Sequence, residues 1–232
     1  MIPRTIHYCW FGRGPLSDLN RRCLESWRRV MPDFRLKEWN ETNTPLEDDY
    51  SRAAYAAGSW SRLSNLVRLR ALLTEGGIYL DTDVEVLRDF APLLGHECFL
   101  GFQQREEEED WVNGAVLGAR PGHPFLERCV ELTTELFART GKFYRGPTVV
   151  TRALKEAGLE EYGRQELRGV TLYPAEYFYP FPWFGRFTPG CVTDKTFCVH
   201  HWEGSWKKTG LERFLSPLRI LKRRARALIP KV

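Results

Sequence analysis

An aspartate pair directly follows an apolar, strand-like run in the segment GGIYLDTDVEVL, residues 76–87. Asp81 and Asp83 are separated by one residue, and no basic residue stands beside them. Carboxylates are rarely buried unless they are paired or bind a metal. In an extended chain, residues two apart point to the same side, roughly 6–7 Å apart. The pair therefore predicts a site for Mn²⁺ or Mg²⁺ at the carboxyl end of a core strand, with two exposed carboxylates in a turn as the alternative.

The segments before the aspartates indicate an α/β fold. Residues 5–11 are predicted to form a buried strand, and a helix is predicted from Ser17 or Asp18 to about Val30. Residues 34–39 alternate between apolar and polar side chains like a second strand. A strand, a helix and a strand in this order predict a βαβ unit and a parallel sheet.

The chain that leads into the aspartates is predicted to be helical over Ala53–Glu75, with an interruption at Gly58. Gly76 is predicted to end this helix in the left-handed helical conformation, which costs glycine nothing because it has no Cβ. Residues 78–80 then re-enter the sheet as a strand.

The remaining chain continues to alternate between strands and helices. The acidic run REEEED, residues 105–110, is interpreted as a solvated loop, with an acidic metal site as the less favoured alternative. Strands are predicted at 84–87, 98–102 and 113–119, helices at 124–139 and 149–156, and irregular strands lining a cleft at 170–185.

Length and composition set the class of protein. A chain of 232 residues fits one large domain or two small ones, and 43% hydrophobic with 28% charged residues is ordinary for a globular protein. The net charge of +4 does not indicate a nucleic-acid partner. The six cysteines are scattered without a CxxC pair, and the first residues lack a secretory apolar core. We therefore expect reduced thiols and a cytoplasmic protein, without a nucleic-acid partner.

Two chemistries use an aspartate pair after an apolar strand. The segment LDTDVE resembles the nucleophile motif of haloacid-dehalogenase-type hydrolases, which predicts a phosphohydrolase with Asp81 as the attacking group. That chemistry also needs a downstream lysine, for which Lys195 in TDK is the candidate. The other chemistry is sugar transfer from a nucleotide donor, in which the pair holds a metal on the diphosphate. A non-catalytic membrane-surface or sugar-binding module is a third hypothesis.

Three ordered blocks carry a more specific resemblance: IPRTIHYCWFG, SRLSNLVRLRALLTEGGIYLDTD and HHWEGSW. They resemble the DXD-containing glycosyltransferases of family 32, which include bacterial capsular-polysaccharide and lipopolysaccharide sugar transferases and fungal mannosyltransferases. The core is similar to that of the glucosylating clostridial toxins. The resemblance covers about Ile2 to Leu126 and returns at His200 to Trp206. It implies a GT-A-type, Rossmann-like α/β fold for nucleotide-sugar binding, with a mixed central sheet and flanking helices.

The resemblance also implies roles for residues at the site. Trp10 follows the first strand and is expected to stack on the nucleotide base. Arg68 and Asn65 share a helix face and are expected to contact the donor, although the family usually has Asp at position 65. The remaining implied donor contacts are Tyr79, Asp81, Asn113, Ser205 and Trp206, and the implied metal ligands are Asp81, Asp83 and His200.

The expected cofactor is Mn²⁺ or Mg²⁺, and the expected donor is a UDP-sugar, with GDP as the alternative nucleotide. His200 is preferred over His201 because adjacent residues in an extended segment point in opposite directions. Catalysis is expected to involve Asp81, Asp83 and Arg68, with retention of the anomeric configuration. Residues 146–148 are expected on the acceptor side, and the acceptor is expected to be a glycan or glycolipid in polysaccharide biosynthesis.

The last segment is predicted to be separate from a single catalytic domain at residues 1–210. Residues 211–232 carry six basic residues between Arg213 and Arg226 on an apolar frame with helical spacing. A basic amphipathic helix of this kind binds the surface of an anionic membrane, which predicts peripheral contact with the inner membrane face. A helix packed on the domain with solvated arginines is the equal alternative.

Overall fold

The sheet at the centre of the protein has seven strands in the order β2-β1-β3-β6-β5-β8-β7. The computed structural model describes residues 1–204, so the predicted boundary at residue 210, the tail and the predicted donor contacts Ser205 and Trp206 lie outside the described residues. The strands of this sheet are β1 (Thr5–Cys9), β2 (Arg35–Trp39), β3 (Gly77–Leu80), β5 (Cys98–Phe102), β6 (Val112–Ala119), β7 (Gln165–Leu167) and β8 (Val170–Tyr173). A separate pair consists of β4 (Val84–Val86) and β9 (Cys198–His200).

The sheet is mixed, as the resemblance implied. Strand β1 runs parallel to both β2 and β3, and β5 runs parallel to β8. Strand β6 is antiparallel to β3 and β5, and β7 is antiparallel to β8. The predicted βαβ unit is therefore confirmed. The α-helices are α1 (Asp18–Val30), α2 (Asp49–Ala56), α3 (Trp60–Glu75), α4 (Pro124–Thr140) and α5 (Gly146–Glu156).

Two hydrophobic clusters cover opposite faces of the sheet, and β3 contributes to both. Tyr79 belongs to the cluster that includes side chains of α3, α4 and α5. Ile78 and Leu80 belong to the cluster that includes α1. This alternation follows from the two-residue period of a strand, and burial on both faces explains why β3 is an almost continuous apolar run.

Helix α1 holds the strand that follows the aspartates. Ser17 caps the helix, since its side chain accepts a hydrogen bond from the Asn20 N–H at 3.1 Å. On the buried face, Trp27 Nε1 donates to the Val84 carbonyl at 2.7 Å, and Ser26 Oγ accepts from the Val86 N–H at 2.9 Å. Strand β4 is therefore tied to α1 by side chains as well as to β9 by its backbone.

The conformation predicted for Gly76 is wrong in one respect. Gly76 ends α3 with φ 64° and ψ −169°, so its φ is positive as predicted but its ψ is extended. The reason is that the chain enters β3 directly, without the further turn that a left-handed helical cap would add. Glycine is still required, because a Cβ there would lie 2.6 Å from Pro121 Cδ.

The predicted helix from Ala53 is two helices that meet at Gly58, whose φ is 59°. The first begins at Asp49, earlier than predicted, because Asp48 caps it by accepting the Ser51 N–H at 2.9 Å. The predicted irregular strands at 170–185 are confirmed only at Val170–Tyr173, and a short 3₁₀ helix follows at Ala175–Tyr177. Most of that segment does not form strands.

Other predictions concern buried side chains. His7 is a structural residue: its Nε2 lies 2.8 Å from the Gly76 carbonyl, and its Nδ1 accepts from Trp39 Nε1 at 3.1 Å. Burial lowers the pKa of His7, which favours the neutral ring. All six cysteines are free thiols, and five of them are buried. Among residues 1–204, no helix has both the length and the apolar character needed to cross a membrane.

The close approach of β5 and β6 generates a stability prediction. Gly118 is paired with Phe99 across the two strands, and a Cβ at Gly118 would overlap the Phe99 ring. Gly118→Ala should lower the free energy of unfolding by about 1–3 kcal/mol through overpacking. Gly95→Ala is the matched control, since no atom lies within 4 Å of its added Cβ. Urea denaturation of both variants measures the difference, and equal stability would contradict the packing described here.

Candidate active site

The aspartate pair lies at the carboxyl end of β3, in the turn that leads to β4. The antiparallel pairing of β4 with β9 places Val84 opposite His200, which brings the late histidine to the aspartates. His200 Nε2 lies 3.1 Å from Asp83 Oδ1. One side-chain ligand atom from each of Asp81, Asp83 and His200 lies within 4.8 Å of the others. We call these three residues the acidic trio.

The neighbouring histidine faces away from the trio. His201 Nε2 lies 2.9 Å from Glu85 Oε2, on the other side of the strand pair. This agrees with the sequence argument that only one of the two adjacent histidines can face the aspartates. The ring of Trp202 packs on that of His200 with a centroid distance of 4.1 Å. Trp202 has a φ of 57°, so this bulky residue adopts a strained backbone conformation beside the site.

Asp83 is held by the segment that carries the histidine. Its Oδ2 accepts the Glu203 N–H at 2.8 Å, and its carbonyl accepts the His201 N–H at 3.0 Å. Burial opposes the charged forms of Asp83 and His200, but their mutual attraction and the contributions of neighbouring groups together outweigh it. The pKa of Asp83 is therefore lowered and the pKa of His200 is raised. The pair is thus stabilised as a carboxylate and an imidazolium.

Asp81 is held by a different set of groups. Arg68 Nη2 donates to Asp81 Oδ1 at 2.9 Å, and the Tyr79 hydroxyl donates to the same oxygen at 3.0 Å. Both side-chain hydrogen bonds that Asp81 accepts within residues 1–204 fall on Oδ1, so Oδ2 is open to a cation. Arg68 is the basic partner that sequence proximity did not indicate, because it lies 13 positions away on α3.

The guanidinium of Arg68 donates hydrogen bonds to three acceptors. Besides Asp81, its Nη1 donates to the Gly114 carbonyl at 2.8 Å and its Nε to the Ser64 carbonyl at 3.3 Å. Its guanidinium lies 4.4 Å from the centre of the Tyr79 ring. Burial lowers the pKa of Arg68, but the combined effect of Asp81, Tyr79 and other neighbouring groups outweighs burial and the net shift is upward. Arg68 is therefore a fixed positive charge paired with Asp81, and a direct contact with the donor stays a prediction.

A divalent cation fits the acidic trio by the chemistry of its donors. Carboxylate oxygens suit Mn²⁺ and Mg²⁺, and an imidazole nitrogen suits Mn²⁺ better than Mg²⁺. Asp81 Oδ2 has no competing partner among the described residues, and Asp83 is nearly buried with a lowered pKa. Ligation by His200 requires its neutral ring, so metal binding would compete with protonation of His200.

The predicted donor contacts divide by accessibility. Trp10 is half-buried where β1 ends, next to β3 and its aspartates, with Nε1 donating to the Gly14 carbonyl at 2.6 Å. Asn65 lies beside Gly146, and both line a small cavity next to Arg68. Tyr79 is 1% exposed and its hydroxyl donates to Asp81, and its predicted contact with the donor stays a prediction.

Asn113 has its amide engaged within the protein. Its Nδ2 donates to Gln103 Oε1 and its Oδ1 accepts the Ala115 N–H, both at 2.8 Å. Its direct contact with a sugar stays a prediction. Sequence analysis missed Gln103 and Tyr179, which bond to Asn113 or to its carbonyl. In the sequence, Tyr179 is one of several aromatic residues in the segment 170–185, so no local signal distinguished it from its neighbours as a site residue.

In the described part of the chain, the lysine proposed for the phosphohydrolase alternative is paired elsewhere. Lys195, the candidate for that chemistry, pairs at the surface with Glu176 at 3.1 Å. Among the described residues, the buried cation beside Asp81 is Arg68, and its guanidinium donates hydrogen bonds to backbone carbonyls and to the Asp81 carboxylate. The geometry thus favours a metal-binding carboxylate pair over a nucleophile with a lysine partner.

Known proteins with similar sequences are sugar transferases. Residues 17–100 match the glycosyltransferase sugar-binding region containing DXD motif, and residues 118–214 match the alpha 1,4-glycosyltransferase conserved region. The chain is 33% identical over 183 residues to the lactosylceramide 4-alpha-galactosyltransferase of Mus musculus, covering 73% of this chain and 49% of that one. It is 32% identical over 197 residues to that of Pongo pygmaeus, covering 77% and 84%.

The chain spans about half the length of most of the curated relatives it matches, including the human and chimpanzee proteins. Among solved structures, the PaToxG glycosyltransferase aligns with a TM-score of 0.55 at 18% identity, covering 67% of this chain and 69% of that one. This likeness concerns the fold, which is of the GT-A type. The chain therefore belongs to the family of DXD-containing glycosyltransferases that includes the lactosylceramide 4-alpha-galactosyltransferases.

Proposed function

We propose that the protein is a metal-dependent, retaining glycosyltransferase that moves a hexose from a UDP-sugar to a glycan or glycolipid acceptor. The observation that carries this proposal is the acidic trio, Asp81, Asp83 and His200, at the carboxyl end of β3 in a chain of this family. Ligands of open α/β sheets bind at that end of the strands.

The acidic trio supplies the ligands for the metal. Asp81 through Oδ2, Asp83 and His200 would hold Mn²⁺, or less favourably Mg²⁺. The ion, when bound, stabilises the negative charge that grows on the leaving diphosphate, as a Lewis acid does. Arg68, whose Nη2 lies 2.9 Å from Asp81 Oδ1, holds that carboxylate in place and leaves Oδ2 for the metal. Trp10, where the neighbouring strand β1 ends, is assigned in this proposal to stacking on the base of the nucleotide.

Retention is proposed to proceed by attack of the acceptor from the side of the leaving group. A double displacement needs a free carboxylate as nucleophile. Within residues 1–204, Asp110 is the buried carboxylate outside the acidic trio, and it is bound by Thr148 at 2.5 Å and Arg145 at 2.6 Å. The two aspartates of the trio are assigned to the metal. This assignment supports the proposal of a front-face mechanism.

The relatives' names suggest the first donor and acceptor to test. Those proteins are named for transferring galactose in an α linkage to the 4-position of lactosylceramide. We therefore propose UDP-galactose as the donor and a galactose-terminated glycolipid as the acceptor. A glycolipid acceptor lies in a membrane, so the predicted membrane contact of residues 211–232 would bring the enzyme to it. These residues lie outside the described part of the chain. The roles in capsular or lipopolysaccharide synthesis stay predictions.

A donor screen tests this function directly. Release of UDP or GDP from a panel of nucleotide sugars is measured with Mn²⁺ and with EDTA, with and without lactose as acceptor. We expect release from one UDP-sugar that requires Mn²⁺ and increases with the acceptor. Hydrolysis of simple phosphate esters, with no nucleotide release from any donor, would overturn the proposal and return Asp81 to the role of a nucleophile.

Asp83→Asn should reduce metal-dependent turnover by at least about 100-fold, because it removes a charged ligand and the partner of His200 while keeping the side-chain shape. Turnover and Mn²⁺ affinity are both measured. The matched control is Asp194→Asn, since Asp194 is an exposed carboxylate outside the acidic trio. A loss of activity in Asp83→Asn without any change in Mn²⁺ affinity would contradict its assignment as a ligand.

Trp10→Ala should weaken UDP binding by roughly 5- to 150-fold, because stacking of a base on an aromatic ring contributes about 1–3 kcal/mol. UDP affinity is measured calorimetrically in the presence of Mn²⁺. Trp10→Phe retains an aromatic face and should keep most of the affinity. Equal UDP binding by the wild type and Trp10→Ala would show that the base lies elsewhere.

A further inference from the structure

Strand β6 carries a bulge where it passes the acidic trio. Leu100 of β5 is paired with Leu117, but the next residue, Gly101, is paired with Asn113. Residues 114–116 therefore have no partner on β5. A bulge leaves backbone groups that need other partners, and buried N–H and C=O groups are almost always satisfied.

The carbonyls of the bulge hold both members of the Arg68–Asp81 pair. The Gly114 carbonyl accepts from Arg68 Nη1 at 2.8 Å. The Ala115 carbonyl accepts from the backbone N–H of Asp81 at 2.9 Å. In a regular strand, the carbonyls of successive residues point to opposite sides. Without the bulge, one of these two carbonyls would therefore form a hydrogen bond with β5. The bulge is thus the element that places the guanidinium and the first aspartate relative to each other.

Two side chains bond further backbone groups of the bulge. The Tyr179 hydroxyl donates to the Asn113 carbonyl at 3.1 Å and accepts the Val116 N–H at 3.0 Å. Asn113 Oδ1 accepts the Ala115 N–H at 2.8 Å. The Tyr179 hydroxyl therefore takes the place of backbone hydrogen-bond partners that β5 does not provide at the bulge. Burial raises the pKa of Tyr179 well above its ordinary value, so the hydroxyl keeps its proton.

Tyr179 also contacts the segment that carries the metal-facing histidine. The centre of its ring lies 5.9 Å from that of His200 and 5.8 Å from that of Trp202. The side chain is 2% exposed. It thus joins the bulge, through its hydroxyl, to the β9 side of the site, through its ring.

We propose that Tyr179 is a positioning residue for the metal site: its hydroxyl fixes the bulge at residues 114–116, whose carbonyls place Arg68 and Asp81. Tyr179 acts through the backbone of β6 and contacts neither metal nor donor. The inference rests on the proposed metal site and adds to it a residue more than sixty positions from the bulge.

Tyr179→Phe tests the inference, because it removes the hydroxyl and keeps the ring on His200. The affinity for Mn²⁺ alone is measured on the full chain by the electron paramagnetic resonance signal of free Mn²⁺. We expect Tyr179→Phe to bind Mn²⁺ about tenfold more weakly, the lower end of the effect of groups that orient metal ligands. Hydrogen exchange of the Val116 amide should become faster, since its acceptor is lost.

Tyr162→Phe is the matched control. The Tyr162 hydroxyl accepts the Ala175 N–H at 3.0 Å, so the substitution removes the same kind of bond away from the acidic trio. It should lower the stability to a similar extent and leave Mn²⁺ affinity and Val116 exchange unchanged. Asn113→Ala, which removes the other support of the bulge, should weaken Mn²⁺ binding as Tyr179→Phe does.

The outcomes separate this inference from the proposed function. Wild-type protein that fails to bind Mn²⁺ would overturn the metal site and the inference with it. Equal Mn²⁺ affinity in the wild type and Tyr179→Phe would overturn the inference alone. Weaker binding in Tyr162→Phe as well would also overturn it, because the effect would then follow from lost stability.

Discussion

The ion pair between Arg68 and Asp81 is the interaction on which the site depends. Burying a guanidinium costs several kcal/mol unless its donors are satisfied. Here two backbone carbonyls and the Tyr79 ring complete the environment of Arg68, and the Tyr79 hydroxyl completes that of Asp81 Oδ1. Helix α3, strand β3 and the bulge in β6 must therefore meet at one point. One carboxylate oxygen is used by the protein, and the other is left for a ligand.

The second half of the site is built on a separate strand pair. Strand β4 continues from the aspartates and is held by Trp27 and Ser26 of α1. Its antiparallel partner β9 delivers His200 to Asp83 from 117 positions away in the sequence. Each aspartate is thus supported by a different part of the chain, and a cation between them would join the main sheet to the β4–β9 pair.

Much of the fold was predictable because its signals are local. The Ser17 cap, the break at Gly58 and the alternation in β2 each depend on residues that are neighbours in the chain. The errors arose where tertiary contacts overrode local preference. Gly76 has an extended ψ because the chain must enter β3 at once, and residues after Tyr173 leave the strand state because their aromatic side chains fill the core.

The chemical groups available to the site can be inferred from the sequence: two carboxylates after a buried strand, a late histidine pair, and a tryptophan after the first strand. Which of these groups contact each other depends on the fold. Arg68 supports Asp81, and Tyr179 satisfies the bulge in β6, because the order and register of the strands bring together residues that are distant in the chain. Composition and spacing do not predict such contacts, because each contact depends on how the strands are arranged in the sheet and not on the residues of one segment.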